Sequence, residues 1–274
     1  MKIAQYLILN NKKTDSFQGE LWDDIWNKTS FEKLVNQLTV NPIYWRLKKL
    51  INKSDSILEA GCGFGQWVYR LKSQDYKVTG VDIAKNTIER IHKLEPDLDI
   101  SFGDVEELPF KNEKFSVYLS FGVIEHFESG PEKVLSEAHR VLKGDGLLFL
   151  TIPYLNLPRF INLGIAKKKD GIFYQYLYSE GEIVKKIEKS GFKVTRTVHY
   201  DFLSAVKRDF PLIWKLLSKT VVRRVEATPV KNKKIAKHRK SILESEKEPN
   251  FFIQEMLYKI DSYILLIEAR KVGK

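Results

Sequence analysis

The chain has 274 residues, of which 43% are hydrophobic, a single cysteine and a formal charge of +11. This length can bury a substantial core without a disulfide or a structural metal, and one cysteine excludes an intrachain disulfide. No apolar run approaches the roughly 20 residues of a membrane-spanning helix. The apolar patch at residues 3–9 is too short for a signal peptide. The excess of positive charge indicates a partner such as nucleic acid, an anionic membrane surface or an acidic substrate.

The first 56 residues are rich in large aromatic side chains and carry helical patterns. Apolar spacing predicts a helix over residues 21–38, and Pro42 fits the first turn of a second helix. We expect residues 1–56 to form a helical lid. Its aromatic side chains either pack against a sheet or close over a ligand.

From residue 57 onward, apolar strands alternate with amphipathic helices. The predicted strands cover residues 57–60, 77–81, 99–102, 115–121, 147–152, 192–200 and 263–269, and the predicted helices cover residues 66–72, 86–93, 132–142 and 180–190. The stretch 154–178 is expected to be irregular. Strict alternation of this kind predicts an α/β fold with a parallel sheet that is covered on both faces.

A basic segment interrupts this alternation before the last strand. Residues 204–250 contain thirteen Lys or Arg and five Asp or Glu, an excess of eight positive charges. Within it, residues 211–225 are predicted to form a helix with apolar residues inward and basic residues outward. The chain is therefore expected to consist of the lid, a sheet domain (57–203 and 256–274) and a basic helical insertion (204–255).

The most informative stretch is the turn after the first predicted strand, residues 59–65 (Glu-Ala-Gly-Cys-Gly-Phe-Gly). Glycines in such a turn accept positive φ and let a ligand approach the backbone, and the helix that follows points its free N–H groups at the turn. The spacing departs from the dinucleotide fingerprint because Gly65 comes one position early. Alone, the turn is compatible with a nucleotide-type cofactor, a dinucleotide or a structural role.

Two acids end the next two predicted strands. Asp82 follows Gly65 by seventeen residues, where a carboxylate can accept both hydroxyls of a ribose. Asp104 ends the third strand and could accept the amine of an adenine. Each acid alone is compatible with a helix cap or a solvated surface. The glycine turn, Asp82 and Asp104 follow three successive predicted strands, and together they predict one shared nucleotide-binding edge.

These motifs, together with residues 103–110 (Gly-Asp-Val-Glu-Glu-Leu-Pro-Phe) and 123–126 (Val-Ile-Glu-His), resemble those of the class I S-adenosylmethionine-dependent methyltransferases. The resemblance is strongest to ubiquinone/menaquinone-type and other small-molecule methyltransferases, and it covers about residues 45–200 and the last strand. It implies a Rossmann-like three-layer sandwich with a seven-stranded, mostly parallel sheet whose last strand is antiparallel. It also implies S-adenosylmethionine as cofactor and S-adenosylhomocysteine as product.

The resemblance also implies which residues of this chain contact the cofactor. The implied cofactor contacts are Glu59, Gly61, Gly63, Gly65, Asp82, Ile83, Asp104, Val105 and Phe121. Glu59 and the glycines are expected near the methionine moiety and Asp82 at the ribose. Asp104 and Val105 are expected at the adenine, with Phe121 near the sulfonium.

His126 is the candidate catalytic residue because it follows the fourth strand, beside the expected methyl group. Its ordinary pKa of about 6.5 suits proton transfer near neutrality, and it could serve as a base, orient the acceptor or merely cap a loop. No metal-ligand spacing is present, so no metal is expected. Methylation of cytosine C5 is excluded because its thiol nucleophile would follow the fourth strand, whereas Cys62 lies in the glycine turn.

We expect a cytoplasmic methyltransferase that acts on a small-molecule acceptor, or on a lipid- or sugar-linked one, by in-line transfer. Methylation of RNA is an alternative because of the basic insertion. Association with a membrane surface is another, because residues 211–225 resemble an interfacial helix. A non-catalytic module that kept the cofactor pocket also stays open, and the sequence does not predict an oligomeric state.

Overall fold

The structure is a computed structural model that describes residues 2–7, 17–38, 41–165, 172–201, 207–210 and 263–273. The helices are α1 (Phe17–Asn27), α2 (Phe31–Leu38), α3 (Pro42–Lys48), α4 (Gln66–Lys72), α5 (Lys85–Leu94), α6 (Glu132–Val141), α7 (Leu157–Ile165) and α8 (Glu180–Lys189). The strands are β1 (Lys2–Leu7), β2 (Ser56–Ala60), β3 (Lys77–Asp82), β4 (Ile100–Phe102), β5 (Phe115–Phe121), β6 (Leu142–Pro153), β7 (Ile172–Tyr178), β8 (Phe192–Tyr200) and β9 (Ile264–Lys271).

Seven of the strands form one central sheet in the order β4-β3-β2-β5-β6-β9-β8. The strands from β4 to β6 pair in parallel, and β9 runs antiparallel to both of its neighbours. The middle strands are buried on both faces, which explains why they are continuous apolar runs in the sequence. The predicted mostly parallel, seven-stranded sheet with an antiparallel last strand is confirmed.

Two apolar cores lie on opposite faces of this sheet. Successive strand residues alternate between them, as Ile57 and Leu58 do, because neighbouring side chains of a strand point to opposite faces. One core takes residues from α2 to α5, and the other takes residues from α6 and α8. The chain therefore forms the sheet covered on both faces that the alternation predicted, in the three-layer arrangement that the resemblance implied.

Three local predictions were wrong. The helix predicted over residues 21–38 is two helices, and Ser30 at their junction accepts the Lys33 backbone N–H at 3.4 Å, as an N-cap residue does. Residues 154–178 are not irregular, because they contain α7 and β7. The first 56 residues are not wholly helical, because β1 pairs antiparallel with β7 in a separate two-stranded sheet.

Helix α3 is anchored to the central sheet by an ion pair. Pro42 occupies its first turn, as predicted, and Asn41 caps it by accepting the Ile43 N–H at 2.8 Å. Arg46 then holds the buried Glu268 of β9 with two hydrogen bonds, of 2.6 and 2.8 Å. A bidentate pair of this kind fixes orientation as well as position.

Most of the predicted basic insertion, including the helix predicted over 211–225, lies outside the described residues. Among the helices that are described, none combines the length and the apolar character that crossing a bilayer requires.

Candidate active site

A cavity of about 580 Å³, partly open to solvent, lies at the carboxyl ends of the central parallel strands. This is the edge where the strand order reverses between β2 and β5, which is where open α/β sheets bind ligands. The predicted site residues that line it are Gly61, Asp82, Ile83, Asp104, Val105, Phe121 and His126.

The other three predicted residues support the cavity from the glycine turn without lining it. Gly63 has a φ of +53°, and a Cβ added there would lie 2.3 Å from the ring of Trp26. Gly65 precedes α4 as its N-cap in the left-handed conformation. Glu59 is buried at the end of β2. The turn therefore presents bare backbone, with an aromatic ring lying directly over Gly63.

Asp82 ties the glycine turn to the start of α5. One carboxylate oxygen accepts the Gly63 N–H at 2.6 Å, and the other accepts the Ala84 N–H at 2.9 Å. Burial raises the pKa of Asp82, while backbone hydrogen bonds from Ala84, Gly63 and Ile83 oppose the rise. Since each carboxylate oxygen can accept about two hydrogen bonds, the side chain keeps acceptor capacity toward the cavity that it lines.

Glu59 carries a buried oxygen atom, Oε2, for which the described residues offer no hydrogen-bond partner. Burial raises the pKa of Glu59 well above its ordinary value, and the nearby charge of Asp82 adds to the rise. An unsatisfied buried acceptor of this kind calls for a donor that the described residues do not supply.

Two further predicted residues differ in how firmly they are held. Asp104 is exposed, and its carboxylate accepts the Glu106 N–H at 2.8 Å, which keeps the loop after β4 folded beside the cavity. Phe121 is stacked on Trp67 of α4, with ring centroids 4.3 Å apart and planes 25° apart. The wall formed by Phe121 is therefore rigid.

His126 lies in a short 3-10 turn after β5, against the cavity. Its Nδ1 is 2.7 Å from the carbonyl oxygen of Tyr174, so we assign the proton of the neutral ring to Nδ1. Burial lowers the pKa of His126 to about 4, although hydrogen bonds to the Tyr174 and Gly122 backbone favour the charged form. The imidazole is neutral at physiological pH, which makes it a weak base.

The neighbouring Glu125 is also uncharged near neutral pH. Burial raises its pKa to about 8, and its Oε1 lies 3.8 Å from Nε2 of His126. Because both side chains are neutral, the part of the cavity beside His126 has no net charge from them.

Helix α1 contributes residues that the sequence did not assign to the site. Trp22 and Trp26 line the cavity, and the ring of Trp22 meets that of His126 edge to face with centroids 4.6 Å apart. Asp23, which follows Trp22 in the sequence, has a buried side chain. It accepts the backbone N–H groups and side-chain donors of Asn86 and Thr87 at distances of 2.6–3.3 Å. The aromatic richness of residues 1–56 was the only signal for this wall, and nothing in the sequence pointed to Asp23.

Comparisons with known proteins agree with this geometry. Residues 58–150 match the family model described as a methyltransferase domain. A probable S-adenosylmethionine-dependent methyltransferase of Mycolicibacterium smegmatis is 28% identical over 159 residues, which cover 57% of this chain and 58% of that protein. An uncharacterised protein of Methanocaldococcus jannaschii is 32% identical over 166 residues, which cover 60% of this chain and 76% of that protein.

The chain belongs to the class I S-adenosylmethionine-dependent methyltransferases. Its fold is shared with a crystal structure of an S-adenosylmethionine-dependent methyltransferase from Mesorhizobium loti, with a TM-score of 0.52, 15% identity, and coverage of 85% of this chain and 100% of that one. The ubiquinone-type subgroup is not specifically supported. The match to the M. smegmatis protein spans little more than half of that protein, so its full activity is not transferred.

The site of this methyltransferase fits S-adenosylmethionine. The glycine turn leaves bare backbone at the cavity, and Asp82 keeps acceptor capacity for hydroxyl groups. Behind the turn, Oε2 of Glu59 has no hydrogen-bond partner among the described residues. Phe121, Trp22 and Trp26 also line the cavity, and aromatic rings attract a cation such as a sulfonium.

The raised pKa of Glu125 predicts how the stability of this methyltransferase depends on pH. The folded state binds a proton at Glu125 between pH 4.5 and about 8, where the unfolded state does not. Stability therefore falls as pH rises through that window, by up to about 1.4 kcal/mol per unit of pKa difference. Glu125→Gln removes this loss, so its unfolding midpoint should rise relative to the wild type as pH increases, measured by thermal unfolding at several pH values.

The control for this measurement is Glu128→Gln, which changes an exposed carboxylate on the same loop. The plots of unfolding midpoint against pH for the wild type and for Glu128→Gln should stay parallel. His126 is present in all three proteins, so its own titration cancels from the differences. Parallel curves for wild type and Glu125→Gln would show that Glu125 ionises normally in the folded protein.

Proposed function

We propose that this methyltransferase transfers the methyl group of S-adenosylmethionine to an oxygen, nitrogen or carbon atom of a small-molecule acceptor, or of one carried on a lipid or sugar. The observation that carries the proposal is the position of α1, whose Trp22 and Trp26 close over the cavity. A concave pocket with two aromatic rings of α1 in its wall suits a compact acceptor better than a folded macromolecule.

We assign the cofactor to the predicted residues as the sequence placed them. The methionine moiety is assigned to Glu59 and the turn glycines Gly61, Gly63 and Gly65, and the ribose to Asp82 with Ile83 beside it. The adenine is assigned to Asp104 and Val105, and the sulfonium end to Phe121. The support is that six of these nine residues line one cavity together with His126, and that Glu59, Gly63 and Gly65 lie directly behind it.

The bound cofactor supplies an electrophilic methyl group, and the chain supplies position and exclusion of water. Phe121, held by Trp67, fixes one wall of the reaction site, and Trp22 covers it from α1. We assign His126 to orienting the acceptor, because a neutral imidazole with a pKa of about 4 is a poor base at neutral pH. An acceptor that must lose a proton would pass it to solvent after transfer.

RNA is the alternative acceptor, supported by the excess of eight positive charges in residues 204–250. Those residues lie almost entirely outside the described ones, so the geometry adds nothing for RNA. Among the described residues, the cavity is lined by aromatic, apolar and acidic side chains and His126, and by no Lys or Arg.

The experiment is to incubate the protein with methyl-labelled S-adenosylmethionine and three fractions of a cell extract: small molecules, lipids and RNA. Label that appears in the small-molecule fraction, or in a lipid- or sugar-linked precursor, supports the proposal. Label confined to RNA would overturn it. A variant with Asp82→Ala is the negative control for cofactor-dependent labelling.

A further inference from the structure

The loop after β4, residues 103–113, carries the part of the cavity wall to which the proposed function assigns the adenine. Gly103, Asp104 and Val105 of this loop line the cavity. The strand before it, β4, has only three residues and lies at the edge of the central sheet, where it pairs with β3 alone. Because sheet pairing gives this wall little support, contacts outside the sheet must set its position.

Arg140, in the last turn of α6, holds the backbone of this loop. Its guanidinium donates to the carbonyl oxygens of Leu108 at 2.9 Å and Phe110 at 2.6 Å, and to the side chain of Asn112 at 3.1 Å. The backbone carbonyl of Arg140 accepts the Glu113 N–H at 2.9 Å. A planar guanidinium can hold several acceptors at fixed angles, which a lysine ammonium group does not do. These contacts fix the second half of the loop against α6.

Glu137 holds Arg140 in place and also contacts the loop directly. Two hydrogen bonds of 2.7 Å join its carboxylate to the guanidinium, and its Oε2 accepts the Leu108 N–H at 2.7 Å. The hydrogen bond to Arg140 holds the pKa of Glu137 below its ordinary value, so the carboxylate is charged at neutral pH. The exposed fractions of the Arg140 and Glu137 side chains are 31% and 16%. A bidentate ion pair therefore holds both the N–H and the carbonyl of Leu108.

The position of Leu108 determines that of the cavity wall through short links. Glu107, the residue before it, donates its N–H to the Asp104 carbonyl at 3.1 Å. Pro109, the residue after it, lies against Gly103, where an added Cβ would be 3.4 Å from the proline ring. Leu108 itself is buried in the core that contains the apolar side chains of α6. A loop released at Leu108 would therefore also shift Gly103 and Asp104 at the cavity.

A second contact between α6 and the same loop offers a comparison. The Nζ of Lys133 lies 3.6 Å from Oε2 of Glu106, and the Lys133 side chain is 64% exposed. Exposed ion pairs contribute little because water and salt screen them and two long side chains lose freedom. This pair should therefore matter much less to the loop than the bidentate pair does.

We propose that the ion pair of Glu137 and Arg140 positions the loop after β4 so that Asp104 faces the exocyclic amine of the adenine. The two residues act through the loop and do not line the cavity themselves. The inference rests on the proposed function, which assigns the adenine to Asp104 and Val105. It implies that weakening the ion pair lowers the preference of the site for adenine over other bases, beyond any loss of stability.

The test compares the binding of S-adenosylhomocysteine with that of S-inosylhomocysteine, in which a carbonyl oxygen replaces the exocyclic amine. In calorimetry the wild type should bind the adenosyl compound roughly tenfold more tightly, because a carboxylate accepts from the amine but repels the oxygen. Arg140→Lys keeps the charge but loses the planar donor group. It should weaken binding of the adenosyl compound roughly tenfold and reduce the preference to about twofold or less. Glu137→Gln, which removes the charge of the partner, should shift the preference in the same direction.

The matched control is Lys133→Gln, which removes the exposed contact between α6 and the loop and should keep both wild-type affinities. Each titration is run well below the unfolding midpoint of the variant, so that folded protein is measured. Equal weakening of both compounds by Arg140→Lys, or an unchanged preference in both ion-pair variants, would overturn the inference while the adenine assignment stands. A wild type without any preference would instead contradict the adenine assignment itself, and the inference with it, so the two failures are distinguishable.

Discussion

Replacing Asp82 by Asn should weaken the binding of S-adenosylmethionine by about 100-fold. Its two carboxylate oxygens accept N–H groups from Gly63 and Ala84, so an amide NH2 in place of one oxygen faces a donor at one of these positions. The variant also loses a charged acceptor for the ribose hydroxyls. Hydrogen bonds to charged groups contribute about 1.5–3 kcal/mol each, and a combined loss of about 3 kcal/mol is roughly 100-fold in affinity.

Isothermal calorimetry with S-adenosylmethionine and S-adenosylhomocysteine measures this loss. The matched control is Asp99→Asn, which changes an exposed carboxylate just before β4, at the opposite edge of the sheet, where it accepts the Thr79 hydroxyl. Its affinity should equal that of the wild type. Thermal unfolding before each titration confirms that both variants are folded. Equal affinities for wild type and Asp82→Asn would show that the carboxylate of Asp82 does not bind the ribose.

The central sheet could be predicted because its signals are local. Each parallel strand is a short apolar run between turn residues, and Asp82 and Asp104 follow directly from where such runs end. Parallel strands end at one edge, so the topology alone brings these acids and Phe121 to one cavity. The same argument anticipated His126 at that cavity.

The rest of the site depends on contacts that no local pattern reveals. Asp23 and Thr87 are 64 residues apart, and the pairing of β1 with β7 joins Lys2 to Tyr178. The pKa of His126 depends on burial by α1 and β7, so the ordinary value of about 6.5 suggested a base where the structure has a neutral ring. Sequence patterns located the residue but could not predict its environment.

Asp23→Ala should release α1 from α5 and weaken cofactor binding by roughly tenfold or more. Asp23 satisfies the Asn86 and Thr87 N–H groups in the first turn of α5, where an anionic side chain is favoured, and its removal leaves them unpaired at a cost of about 2 kcal/mol. Without this attachment, Trp22 and Trp26 no longer cover the cavity. We expect a red shift of tryptophan emission and a larger change in KM for S-adenosylmethionine than in the unfolding midpoint, because α1 lies outside the central sheet.

The neighbouring Asp24 provides the control, since it lies on the same helix with an exposed side chain. Asp24→Ala should leave the emission spectrum and the KM unchanged. Asp23→Asn should recover part of the loss, because its amide oxygen can still accept the two Thr87 donors, which lie 2.8 and 2.6 Å from one oxygen of Asp23. If Asp23→Ala and Asp24→Ala behave alike, α1 is held by its aromatic contacts alone, and the covered pocket does not depend on this carboxylate.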